Sequence, residues 1–121
     1  MSDDIDTPPN VHYTGQAFTL EQTHRFADWL AKLRDVQGRA RILKRLVRFA
    51  NGQAGDVEAV GDGVCELRMF FGSGYRIYYM QRSDVVILLL AGGDKDGQAG
   101  DIARAKELAR HVRDEDQGQR L

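Results

Sequence analysis

The sequence predicts an α+β domain with the order β-α-α-β-β-β-α: a small, mostly antiparallel sheet, an N-terminal helical hairpin and a C-terminal helix, with the helices on one face. Three observations carry this reading. Apolar residues recur at helical spacing as far as Ala50, then alternate with a period of two beyond Gly55. The run Val85–Ala91 is continuously apolar, as a central strand buried on both faces would be. Helical spacing returns from about Gly97 to Arg113, with Ile102, Ala105, Ala109 and Val112 on one side.

Each element has its own signal. Residues 1–14 hold both prolines and no periodicity, and read as a flexible lead-in to a domain spanning 15–113, with an acidic tail over 114–121. Gln16–Leu20 is expected as a short first strand. Thr23 is placed to cap a helix whose face is Phe26, Trp29, Leu30 and Leu33. Asp35 is placed to cap a second helix with an apolar stripe of Val36, Leu43, Leu46, Val47 and Ala50, closing at Asn51-Gly52. Gly38 in its first turn costs about 1 kcal/mol relative to alanine. Val57–Val60 reads as a weak strand.

The next two strands separate two faces. Over Val64–Phe71, Cys65, Leu67, Met69 and Phe71 alternate with Glu66, Arg68 and Phe70. Over Tyr75–Gln81, Tyr75, Ile77 and Tyr79 alternate with Arg76, Tyr78 and Met80. A three-residue loop at Gly72-Ser73-Gly74 would pair Phe71 with Tyr75, Arg68 with Tyr78 and Phe70 with Arg76. Both arginines would then share one exposed sheet face.

Bulk properties limit the function classes. A chain of 121 residues with 42% hydrophobic and 29% charged residues fits one domain with one modest core. A single cysteine, Cys65, excludes an internal disulfide and suits a reducing compartment. No apolar run reaches the ~20 residues of a membrane span, and Asp3, Asp4 and Asp6 oppose a secretory signal. A cytoplasmic protein with no membrane partner is expected. The net charge of −1 averages over unlike parts: six of 18 acids and one of 17 bases fall in 1–10 and 114–121, leaving 12 acids and 16 bases between them. That surplus permits a nucleic-acid partner.

Arg68 and Arg76 on one face, with Lys95 in the Gly-rich turn beyond the central strand and Gln98 near the next helix start, form a candidate anion clamp. Taken singly, each arginine also fits a solvated face, with Glu66 as a weak cross-strand partner. Arg39, Arg41, Lys44, Arg45 and Arg48 follow one another with no acid between them. Spacing sets Arg41, Lys44, Arg45 and Arg48 on one helix side, suited to RNA, the ribosome or an acidic partner. His12, His24 and His111 lie away from the clamp and read as surface or packing residues. No metal-ligand spacing or Ser/Cys nucleophile system is present, and Cys65 faces the expected core. The Gly92-Gly93-Asp94-Lys95 turn lacks the spacing of a nucleotide phosphate loop.

Several segments together resemble one family. They are Phe26-x-x-Trp29-Leu30, Asn51-Gly52-x-x-Gly55-Asp56, Glu66-Leu67-Arg68, Gly72-Ser73-Gly74-Tyr75-Arg76, Gly92-Gly93-Asp94-Lys95 and Gln98-Ala99-Gly100-Asp101-Ile102. In this order they resemble the HigB-like branch (addiction module killer proteins) of the RelE/ParE toxin superfamily. The resemblance implies a RelE-like topology and the toxin of a type II toxin–antitoxin system. It also implies a ribosome-dependent endoribonuclease that cuts messenger RNA by 2′-OH attack on the adjacent phosphate, with no metal or cofactor. Arg68 and Arg76 would stabilise the phosphorane-like transition state, and Lys95 would bind phosphate or protonate the leaving oxygen. Glu66, Tyr75, Tyr78 and Gln98 would support them, with Tyr75, Tyr78 or a ribosomal group as possible bases. The implied partners are ribosome and message, a helix-turn-helix antitoxin, and promoter DNA through the antitoxin complex. Ser73, Asp96 and Cys65 depart from the pattern, and Asp96 sets a carboxylate beside Lys95. The same superfamily includes ParE-like gyrase inhibitors, and loss of the site would leave an inactive partner-binding module.

Overall fold

The computed structural model describes residues 13–119; the expected lead-in up to His12 lies outside them. The chain forms β1 (Tyr13–Thr14), β2 (Thr19–Gln22), α1 (His24–Ala31), α2 (Val36–Ala50), β3 (Val57–Gly61), β4 (Val64–Arg68), β5 (Tyr75–Gln81), β6 (Val86–Asp94), a 3₁₀ turn (Lys95–Gly97) and α3 (Gln98–Gln119). The strands make one six-stranded sheet in the order β1-β2-β6-β5-β4-β3. β2 runs parallel to β6, and all other neighbours are antiparallel. The α+β class holds, but the order differs from expectation: a short strand precedes β2, and Val57–Gly61 is a full member of the sheet.

Both helix starts form as their residues dictate. Thr23 Oγ1 accepts from the Phe26 amide at 3.1 Å and donates to the Leu90 carbonyl at 2.7 Å, so this cap also anchors α1 to the sheet. Asp35 accepts from the Gly38 amide at 2.9 Å and from the Tyr75 hydroxyl at 2.7 Å, tying α2 to β5.

The expectation that all helices share one face is overturned. Phe26, Leu30, Ile42, Leu46 and Phe49 pack with Leu67, Ile77, Tyr79 and Leu89 on one side of the sheet. Ala105, Leu108, Ala109 and Val112 of α3 pack with Val64, Tyr78, Met80 and Leu90 on the other. The cause lies in β5, whose residues Tyr75 to Met80 are all buried. Tyr78 and Met80 make its second face too apolar for water, and α3 covers it. That helix continues through Asp114, Glu115 and Asp116, past the expected end at Arg113.

Two further details are corrected. In α2 the buried stripe is Ile42, Leu46, Phe49 and Ala50, whereas Val36 and Val47 are 66% and 53% exposed. The β4–β5 register sets Arg68 opposite Arg76 and Glu66 opposite Tyr78, two residues from the expected pairing. β4 stops at Arg68 because Met69 N–H bonds the Tyr75 carbonyl and Gly74 N–H bonds the Phe71 carbonyl, closing a wider loop with Gly72 and Gly74 at positive φ. A shift of two leaves every side chain on its expected face.

Leu46→Ala is expected to destabilise the protein by about 2–5 kcal/mol, while Val47→Ala stays within about 0.5 kcal/mol. Denaturant midpoints of the two variants decide whether Val47 belongs to the core.

Candidate functional site

Arg76 reaches the end of β5 beneath the loop Met69–Gly74. Its Nη1 donates to the carbonyls of Met69, Gly74 and Tyr75 at 3.0–3.1 Å, which holds the guanidinium rigidly. Its Nε stands 3.8 Å from Glu66 Oε1, and the Glu66 side chain is fully buried. Gln98, the first residue of α3, donates from Nε2 to Glu66 Oε2 at 2.8 Å. Tyr78 lies across the ladder from Glu66. Its hydroxyl has no hydrogen-bond partner among the described residues, like Glu66 Oε1 and Arg76 Nε. Burial first, and the Glu66 carboxylate second, push the Tyr78 phenol well above its ordinary value. Glu66, Arg76, Tyr78 and Gln98 thus meet as the sequence suggested, but beneath α3 instead of on an exposed face.

Arg68 is directed elsewhere. Its Nη2 binds Asp56 at 3.0 Å and its Nη1 binds Glu58 at 2.8 Å, both contributed by the β3 side of the sheet. The Asp56 hydrogen bond is the main cause that raises the Arg68 pKa further. Arg68 and Arg76 are thus cross-strand neighbours, as a clamp needs, but Arg68 faces two carboxylates and Arg76 faces one. Asp56 was visible in the Gly55-Asp56 segment, but its role as the Arg68 partner needed the β3–β4 pairing.

Lys95 is exposed at the start of the 3₁₀ turn, and its stem packs on the loop, where a β-carbon on Gly74 would lie 3.2 Å from Lys95 Cδ. Phe70, 77% exposed on the same loop, places its ring centroid 5.9 Å from the Arg76 Cζ. The Gly-rich turn is mostly strand, since β6 continues through Asp94. Its two glycines serve close approach: the Trp29 ring occupies the space of a β-carbon on Gly92, and the Asp101 carboxylate that of one on Gly93. Asp94 caps the turn, accepting from the Asp96 and Gly97 amides at 3.1 and 3.2 Å.

The basic helix divides. Arg41, Lys44 and Arg48 are exposed, with Arg41 over the Phe71 ring at 4.9 Å. Arg45 instead donates to the carbonyls of Ala54, Arg68 and Asp56 at 2.9–3.1 Å, and bolts α2 to the β3–β4 hairpin. Of the histidines, His24 opens α1, His111 is exposed on α3 and His12 lies outside the described residues. Tyr75, expected as a support or base, donates its hydroxyl hydrogen bond to Asp35, and burial together with that bond raises its pKa. Among the described residues no cluster of His, Cys, Asp and Glu is arranged to hold a metal, and no helix is long and apolar enough to cross a membrane.

The fold and site define a small α+β protein with a mixed sheet between helices, with exposed Lys95 beside the loop that covers Arg76. The chain belongs to the same family as an uncharacterized protein of Haemophilus influenzae, with 41% identity over 93 residues, covering 77% of this chain and 94% of the relative. No family model matches the chain, and no solved structure does.

Two outcomes follow from these contacts. The Gly38 amide first, and the Tyr75 hydroxyl second, hold the Asp35 carboxyl below its ordinary value. A folded pKa below the unfolded one contributes stability at neutral pH that is lost as pH falls through about 4 and below. Asp35→Asn is expected to flatten that acid limb in melting curves recorded between neutral and acidic pH. Arg45→Ala strands three carbonyls and is expected to cost about 2 kcal/mol, against less than about 0.5 kcal/mol for Arg48→Ala, measured by denaturant unfolding.

Proposed function

We propose that the protein is the toxin of a type II toxin–antitoxin pair, a HigB-like member of the RelE/ParE superfamily that cuts messenger RNA on the ribosome. The supporting observation is the end of the sheet where exposed Lys95 lies along the Gly74 loop beside Arg76 and the exposed Phe70 ring. A phosphodiester crossing this loop meets the exposed Lys95 ammonium, with the largely buried Arg76 guanidinium beneath it, and an adjacent base stacks on Phe70. The exposed Arg41, Lys44 and Arg48 of α2 supply a second surface for ribosomal RNA.

In the reaction the ribose 2′-oxygen bonds to phosphorus as the bond from phosphorus to O5′ breaks. Arg76 and Lys95 stabilise the charge that builds on the phosphate oxygens, and Lys95 gives a proton to O5′. The products are a 2′,3′-cyclic phosphate and a 5′-hydroxyl. The 2′-OH proton needs an acceptor. Tyr78 is buried and neutral and Tyr75 is committed to Asp35, so neither serves. A ribosomal group is then left to accept it, which would make cleavage depend on translation. The helix-turn-helix antitoxin neutralises the toxin, and the complex binds its promoter.

One observation favours a second reading. Arg68 is paired with Asp56 and Glu58, and Arg76 faces Glu66, an arrangement that suits a ParE-like gyrase inhibitor needing no phosphate clamp.

Mapping of new message 5′ ends in a translating lysate separates the two. Wild type is expected to cut in frame with codons, and Lys95→Ala to lose about 10²-fold in rate. Tyr78→Phe retains cleavage. Arg76→Ala strands buried Glu66, so Arg76→Ala is read in a Glu66→Gln background, where the same loss is expected. Absence of cuts with wild type, together with inhibited supercoiling, establishes the gyrase reading instead.

A further inference from the structure

Helix α2 leaves an apolar stripe to water. Val36, Ala40, Leu43, Val47 and Ala50 recur at steps of four, three, four and three, which sets them along one side of the helix. Val36, Ala40 and Val47 are exposed and Leu43 is half-buried, so only Ala50 is taken fully into the core. Arg41, Lys44 and Arg48 each follow a stripe residue and form an exposed cationic ridge beside it.

The ridge carries no carboxylate of its own. No Asp or Glu lies between Val36 and Ala50, and among the described residues Arg41, Lys44 and Arg48 make no ion pair. The carboxylates that reach this side are Asp35 at the helix start, and Asp56 and Glu58 on Arg68. Against Arg39, Arg41, Lys44, Arg45, Arg48 and Arg68 they leave a surplus of three positive charges.

The chain enters the fold at the end of this stripe. The Gln16 amide donates to Asn51 Oδ1 at 3.0 Å, and the Ala17 and Phe18 amides donate to the Ala50 carbonyl at 3.0 and 2.9 Å. At Gly15 a β-carbon would collide with that carbonyl, so the backbone lies directly on the helix end. β1 is antiparallel to β2, and β2 is parallel to β6. α2 begins beside Tyr75, which pairs with Asp94 at the far end of β6. Followed backward from Thr14 to Tyr13, the backbone is therefore directed from the C-terminal end of α2 toward its N-terminal end. Residues 1–12 hold Asp3, Asp4 and Asp6 around Ile5, with Val11 and no Lys or Arg. Asp6 precedes Tyr13 by seven residues, a reach of about 23 Å when extended. Arg41 lies nine residues before Ala50, only about 14 Å along the helix.

We propose that residues 1–12 fold back as an acidic cover over α2, with Ile5 and Val11 on the apolar stripe and Asp3, Asp4 and Asp6 on the ridge of Arg41, Lys44 and Arg48. The three carboxylates answer the surplus of three cations, and the apolar side chains remove Val36 and Val47 from water. A nucleic acid meets the same cations through its phosphates but leaves the stripe wet, so a peptide segment matches both features where a polyanion matches one. The cover and a nucleic acid then compete for Arg41, Lys44 and Arg48. Displacing the cover opens the ridge, which regulates access to the surface assigned above to ribosomal RNA. The contact itself does not depend on whether the protein cleaves RNA.

The test uses the full chain, labelled with ¹⁵N and ¹³C. Nuclear Overhauser contacts are expected between the Ile5 δ-methyl and the methyls of Leu43 or Val47 within one molecule. An Asp3→Asn/Asp4→Asn/Asp6→Asn variant is expected to lose them. Its Arg41, Lys44 and Arg48 amides should reach half-saturation at about tenfold lower oligouridylate concentration than in wild type. Arg41→Glu/Arg48→Glu, with unchanged circular dichroism, is expected to lose the Ile5 contacts, and Asp4→Lys/Asp6→Lys in that background to restore them. Absence of contacts from Ile5 to α2 in wild type overturns the proposal. So do equal oligouridylate titrations of wild type and the triple variant, or no binding by either. Contacts seen only between differently labelled molecules would assign the stripe to a second copy of the chain, and would overturn it equally.

Discussion

The structure depends on the burial of β5 from both sides. A strand covered on one face leaves its alternate residues to water, but here Ile77 and Tyr79 enter one core while Tyr78 and Met80 enter the other. Two helical layers must therefore flank the sheet, α1 and α2 on one side and α3 on the other. Arg76 sits in the same strand and cannot reach bulk water freely. Its charge is met by the Glu66 carboxylate and by three loop carbonyls. An unpaired charge at such depth would be expensive. The geometry of the loop, the position of Glu66 and the docking of Gln98 follow from that requirement.

Several short segments that look like ligand-binding motifs are packing devices. Gly92 and Gly93 admit Trp29 from one face and Asp101 from the other. Gly55 takes a positive φ beside the Arg45 guanidinium, which bridges three carbonyls. Gly38 leaves room for the Asp35 carboxylate and the Tyr75 ring. In each case a missing side chain lets a charged or aromatic group reach the backbone. These contacts bring α1, α2 and α3 to the same end of the sheet, where Lys95, Phe70 and the open edge of β6 also lie.

Much was legible in the residues themselves. Thr23 and Asp35 cap helices because a short oxygen-bearing side chain before an apolar run satisfies free amides locally. The alternation from Val64 onward assigned Cys65, Leu67 and Met69 to one face and Glu66 and Arg68 to the other, and the faces are right. Val85–Ala91 read as a doubly buried strand; β6 is buried from Ile87 to Ala91, whereas Val85 is exposed and precedes it. The grouping of Glu66, Arg76, Tyr78 and Gln98 was also visible in part, since strand parity puts the first three on one side.

What the sequence determined by itself was local: caps, strand parity, the apolar period of each segment, and a surplus of cations in its central part. Only the tertiary structure decided which face α3 covers, that Arg68 binds Asp56 and Glu58, that Arg45 serves the hairpin instead of the surface, and that β2 leaves β6 half paired. Those outcomes rest on contacts between residues far apart in the chain. Whether a cation meets water, a carboxylate or a carbonyl depends on which strand lies beside it, and periodicity along one segment carries no information about its neighbour.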